Sequence, residues 1–145
     1  MLTRDNLSKR RKLEDVSCLF CCKEESVLHL FFECAVAAQL WCLLSEILEV
    51  NLGGSFESIG QFWLSNKRHG LVNIITAAAL WSLWKLRNDL CFQNTGWKGM
   101  DILLNKIAYK AQNWLILCPE NKKDSLSRIV LEIKRKASMV LWLPP

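Results

Sequence analysis

With 145 residues, 51% hydrophobic side chains, six glycines and only three prolines, the chain has the length and apolar content of one ordinary globular domain, which excludes a disordered tail or linker. The charged start MLTRDNLSKRRKLED lacks the apolar stretch of a signal peptide, and the longest apolar run, residues 74–84, falls short of the roughly 20 residues a membrane span needs. Secretion and membrane insertion are therefore not expected, and the net charge of +5 is concentrated in one place: Arg4, Lys9, Arg10, Arg11 and Lys12 stand against Asp5 alone, leaving the remainder close to neutral.

In chain order, Thr3 is placed to cap a short basic helix over residues 4–12, with Asp5 in its first turn and arginines in its last, the polarity that suits a helix macrodipole. The cysteine-rich stretch SCLFCCKEESVLHLFFEC follows. Residues 34–49 then place Val36, Leu40, Trp41, Leu44, Ile47 and Leu48 at helical spacing, and the NLGGS turn stops that helix. Ser55 can cap a short helix with Phe56, Ile59, Phe62 and Trp63 inward. The longest helix is expected over residues 70–94; its first half is apolar nearly all round, which belongs in the centre of a bundle. Core packing is accordingly expected for Trp81 and Trp84, with stacking on nucleic-acid bases the alternative. His69, alone in NKRHG, reads as a solvated turn residue.

A further stripe of Ile102, Leu103, Ile107, Ala111, Trp114 and Leu115 ends at Pro119. Asp124 is a candidate cap for a last helix carrying Leu126, Ile129, Val130, Ile133, Ala137 and Val140, with a strand at 129–133 as the lesser reading. A second basic cluster, Lys134, Arg135 and Lys136, lies on it with Arg128 upstream. The expected fold is mostly α: a small zinc-knuckle module followed by an irregular helical bundle. The division falls at the glycine turn, giving residues 1–50 and 55–145.

Cys18, Cys21, His29 and Cys34 read C-x2-C-x7-H-x4-C. Seven cysteines cannot all pair internally, and in a reducing compartment clustered thiols serve as metal ligands rather than bridges. A C-x2-C turn folds back and delivers two thiolates to one ion, and an imidazole and a thiolate at the opening of a helix can converge on it. Three thiolates and one imidazole around Zn2+ leave no open position, which describes a structural site. The competing reading makes the three cysteines small buried hydrophobes and His29 a satisfied core residue. Cys22 is read as a bystander, since a spacing of three from Cys18 suits a knuckle less well.

The segment LTRDNLSKRRKLEDVSCLFCCKEESVLHLFFECAVAAQLW resembles the zinc-binding region that follows the reverse transcriptase in plant non-LTR, LINE-type retrotransposons. Thr3, Arg4, Asn6, Leu7, Cys18, Cys21, Glu25, His29, Leu30, Phe31, Cys34 and Trp41 stand where that pattern places them. LWSLWKLRNDLCFQ is similar to the helix that follows in the same proteins, through Trp81, Trp84, Lys85, Arg87, Asn88 and Phe92. The family commonly has Pro and Gly around the second cysteine. Leu19 and Cys22 stand here instead, so a looser knuckle and weaker zinc binding are expected. The chain starts almost on the motif, as a piece of a longer polyprotein would.

The resemblance implies zinc as cofactor, an intracellular location with the nucleus included, and accessory engagement of RNA or DNA during reverse transcription. The basic residues Arg4, Lys9, Arg10, Arg11 and Lys12 are the candidates for phosphate contact, and the polymerase portion of a parent polyprotein is a candidate partner. No catalysis is expected: Asp5, Asp15, Asp89, Asp101 and Asp124 are scattered rather than paired for metal-assisted nucleotidyl transfer, and the C-terminal third lacks the carboxylate-bearing strands of an RNase H domain. A structural or protein-interaction module, and a degenerate retroelement remnant, are the alternatives.

Overall fold

The computed structural model describes residues 3, 17–21, 23–64, 66–93, 97 and 99–140. The predicted basic helix, with Arg4, Lys9, Arg10, Arg11 and Lys12, lies outside the described residues, as does Cys22. Among those described, secondary structure is helical throughout apart from one isolated antiparallel bridge between Ser17 and Glu24. No helix in that set is long and apolar enough to cross a membrane.

A π-helical turn, His29–Glu33, leads into α1 (Ala35–Leu48), α2 (Phe56–Trp63), α3 (Asn66–Gln93), α4 (Met100–Asn113), a 3-10 turn (Trp114–Leu117) and α5 (Glu120–Val140). α3 packs on α2 and α4, α4 lies along α5, and α5 returns to α1. One buried cluster runs from Cys18 and Phe20 through Leu40, Trp41 and Leu44 to Ile75, Leu83, Leu104, Ile107, Leu126 and Ile133. Burying side chains of this size is the main favourable term in folding, at roughly 1.5–3 kcal/mol each.

The inner residues of the predicted stripes are buried: Val36, Leu40, Trp41 and Leu44 in α1, Leu103, Ile107 and Ala111 in α4, and Leu126, Val130, Ile133 and Ala137 in α5. The flanking Ile47, Leu48, Ile102, Ile129 and Val140 are half-buried, as are Trp114 and Leu115, which fall in the 3-10 turn rather than in α4. In α3 no residue from His69 to Leu80 is exposed, as expected of a central helix, and Trp81 and Lys85 are the first to emerge. The non-helical backbone of His69 kinks this helix, so its continuous part begins at Gly70. The His69 ring packs edge-on against Phe62 at 5.0 Å and is half-buried rather than free in solvent.

Ser55 caps α2 as predicted, accepting from the Ser58 N–H. Three expectations fail in detail. Of the four α2 side chains expected inside, only Ile59 is buried; Phe56 and Trp63 are exposed, because a helix of eight residues packed mainly on α3 cannot bury a wide face, although the Phe56 ring meets Phe32 edge-on at 4.6 Å. Asp124 lies inside α5 and does not cap it. The helix starts four residues earlier, directly after Pro119, whose carbonyl accepts from the Lys122 N–H; no strand forms at 129–133. Trp84 is half-buried against the core, but Trp81 is 48% exposed.

The glycine turn fits its position closely. Gly53 has φ +102°, and a Cβ there would lie 2.8 Å from Cβ of the buried Trp41. Gly53→Ala therefore meets both backbone strain and a clash, and is expected to cost about 1–3 kcal/mol in chemical denaturation. Gly54→Ala is the comparison: φ is also positive, but nothing lies within 4 Å, so only the strain remains.

Candidate metal centre

The four predicted ligands converge. Their ligand atoms all lie within 4.8 Å of one another, with Cys18, His29 and Cys34 buried and Cys21 partly so. Three local devices bring this about.

The first is the knuckle. The Ser17–Glu24 bridge and the bond from Cys18 N–H to Lys23 O close a small loop with Cys18 and Cys21 at its turn. Within it the Phe20 N–H points at Cys18 Sγ, 3.4 Å away, a contact that favours a thiolate. Leu19 packs its side chain against the core, and Phe20 meets Trp97 edge-on at 5.2 Å. Apolar contacts thus anchor this knuckle turn.

The second device is the π-helical turn. On an α-helix, residues five apart are separated by about 140° around the axis, so an H-x4-C pair would point to different sides. Here the Cys34 N–H bonds to His29 O at 2.8 Å, an i→i+5 link that widens the turn and returns Cys34 to the side of His29. Ser26 starts the turn: its hydroxyl accepts from the His29 N–H at 3.0 Å and its carbonyl from the Leu30 N–H at 2.9 Å. The Phe31 carbonyl accepts from the Trp41 indole at 2.6 Å, which fixes the turn to α1.

The third is the start of α1, where Cys34 occupies the N-cap position. Its thiol is held below the usual range, first by the hydrogen bond from the Cys18 thiol, against the opposing effect of burial. The first-turn N–H groups of Val36 and Ala37 also favour the anion, without completing hydrogen bonds to it. Cys18 is pushed up correspondingly, by donating to Cys34 and by burial. Cys18 Sγ donates to Cys34 Sγ at 3.9 Å.

These spacings suit zinc. Zn–S bonds of about 2.3 Å and Zn–N bonds of about 2.0–2.1 Å in a tetrahedron put two sulfurs about 3.8 Å apart, and sulfur and nitrogen about 3.5 Å apart. The structure has 3.9 Å for Cys18 and Cys34 and 3.1 Å for Cys21 Sγ and His29 Nε2, so small side-chain movements complete the shell. Cys18, Cys21, Cys34 and Nε2 of His29 would hold the ion. What zinc supplies here is a cross-link between the knuckle and the first helix.

Between Cys21 and His29 the loop carries Glu25, which is 0% exposed. Its carboxylate is gripped by Arg87 of α3, Nη2 to Oε1 at 2.7 Å and Nε to Oε2 at 3.0 Å. Arg87 is itself buried, donates to Asn88 Oδ1 at 2.8 Å, and lies over the Trp84 ring at 5.3 Å. This two-pronged ion pair ties the metal loop to the central helix. Sequence reasoning placed both residues in family motifs without pairing them. The second basic cluster is engaged locally: Lys134 reaches Gln112, Arg135 pairs with Glu132, and Lys136 with Glu46.

A site of three thiolates and one imidazole, mostly buried and with no position left open, defines a structural zinc centre. The family described as zinc-binding in reverse transcriptase matches the chain over residues 1–41, a span that includes all four ligands and Trp41. No polymerase or RNase H region is detected beside it. No curated protein and no solved structure matches the chain.

Proposed function

We propose that the chain is a zinc-stabilised accessory domain of a LINE-type reverse transcriptase, whose basic segment, Arg4 to Lys12, engages template phosphates. The match over residues 1–41 and the converging ligands support the zinc-binding, reverse-transcriptase-associated part of this reading. What supports the nucleic-acid part is charge placement: Arg4, Lys9, Arg10, Arg11 and Lys12 stand against Asp5 alone, just ahead of the metal-binding loop in the chain. Such a cluster of five cations is the electrostatic complement of a phosphate backbone.

The test is a salt titration of duplex binding. Three or four phosphate contacts predict a log–log slope of about −3 to −4. Replacing Arg4, Lys9, Arg10, Arg11 and Lys12 together by glutamine is expected to flatten that slope toward zero. A slope near zero in the unmodified chain would contradict the reading.

A second reading rests on the exposed apolar side chains of Trp63, Leu64, Ile116 and Leu117. They favour contact with another protein surface, for which the polymerase portion of a longer chain is the natural partner. On that reading the five glutamine replacements leave association unchanged.

A further inference from the structure

The groove between α3 and α4 is not used by the zinc site. It measures about 570 Å3 and is lined by Trp81 and Lys85 of α3 and by Asn105, Lys106, Tyr109 and Lys110 of α4, with no carboxylate in its wall among the described residues. Asp89, one turn along α3, pairs with Lys85 at 3.8 Å. Two features set the groove apart. Its aromatic side chains are open, Trp81 at 48% and Tyr109 at 67% exposure, although no residue of α3 from His69 to Leu80 is exposed. Its cations stand beside those rings: Lys110 Nζ lies 5.2 Å from the Trp81 ring and 5.4 Å from that of Trp114.

Open π faces alternating with ammonium groups and side-chain amides complement a ligand that is flat, apolar in its faces and anionic along its backbone. An apolar protein helix would leave the lysines without counter-charges. A duplex would keep its bases stacked on one another and out of reach of Trp81. A single strand offers both chemistries at once: base faces for the rings and phosphates for the lysines.

We infer that the α3–α4 groove binds single-stranded nucleic acid. One base stacks on Trp81 and a neighbour on Tyr109, while Lys85, Lys106 and Lys110 meet the phosphates. On binding, Lys110 exchanges the indole face for a phosphate. The residues named for this surface, Trp81, Lys85, Lys106, Tyr109 and Lys110, are different from the N-terminal basic residues.

The experiment is fluorescence anisotropy with labelled uridine and thymidine oligomers of about eight nucleotides, and a duplex of equal length, titrated with the full chain. Single strands are expected to bind more tightly than the duplex. Trp81→Ala is expected to weaken single-strand binding about 5- to 150-fold, the loss of one stacked base, and Trp81→Phe to restore most of it. Tyr109→Ala, at a site too exposed to disturb folding, should weaken it in the same direction. Replacing Lys106 and Lys110 by glutamine should make the salt slope shallower by about 1.4.

In the variant with glutamine at all five N-terminal basic positions, the dependence on Trp81 is expected to remain, so failure of the N-terminal reading and failure of this one are separately visible. Thermal melts confirm that each variant is folded. Single-strand binding unchanged by both Trp81→Ala and Tyr109→Ala overturns the inference. So does the absence of single-strand binding at about 50 mM salt, which would leave the groove to a protein partner.

Discussion

His29→Ala is expected to abolish zinc retention and to destabilise the whole chain, not only its metal loop. Binding of a structural zinc is worth about 10–16 kcal/mol in finger peptides near neutral pH, so one ligand of four represents about 2.5–4 kcal/mol. An ordinary domain holds a total of about 5–15 kcal/mol. The loss spreads because the ligands sit on core residues: the turn carrying His29 also buries Leu30, Phe31 and Phe32, and Phe31 O holds the Trp41 indole. A lower melting midpoint, with faster amide exchange over residues 17–34, is the expected result. Cys91→Ala, an exposed thiol outside the site, should change neither. Zinc retained by His29→Ala at wild-type affinity would remove His29 from the ligand set.

Arg87→Met is expected to cost about 3–5 kcal/mol, because it leaves the carboxylate of Glu25 buried without its counter-charge. Glu25→Gln should be costly for the converse reason. Arg87→Lys should rescue little, since an ammonium cannot reproduce two parallel N–H bonds to one carboxylate. Replacing both partners with apolar residues, Glu25→Leu with Arg87→Met, is expected to recover part of the loss, as neither charge of this pair then faces the other's absence. Urea denaturation of the four variants measures this directly. Glu25 lies between Cys21 and His29, so the Arg87→Met chain should also bind zinc more weakly. Unchanged affinity in that variant would show the ion pair to be structural for α3 alone.

The ligand set was legible in the sequence because it is local. Residue type and spacing over 17 positions name Cys18, Cys21, His29 and Cys34, and a closed set of soft donors has few other uses. The way His29 and Cys34 meet was not legible. Their spacing contradicts α-helical periodicity, and only the π-helical turn, held by Ser26 and Trp41, reconciles them. The Glu25–Arg87 pair spans 62 residues, and no local pattern couples two charges that far apart. Helix positions followed from apolar periodicity, but periodicity tells which side chains share a face and not whether a neighbour covers it. Phe56, Trp63 and Trp81 are the residues where that difference shows. Asp124 looked like a cap by residue type, yet Pro119 upstream already sets the start of α5.

The central claim is that four side chains, and not Cys22, close a structural zinc site. The direct measurement is metal content by elemental mass spectrometry on untagged protein purified under reducing conditions, for wild type, Cys22→Ser and His29→Ala. One zinc per chain in wild type and in Cys22→Ser, and none in His29→Ala, is the predicted result. A folded wild-type chain without metal would contradict it and reduce Cys18, Cys21 and Cys34 to buried core thiols.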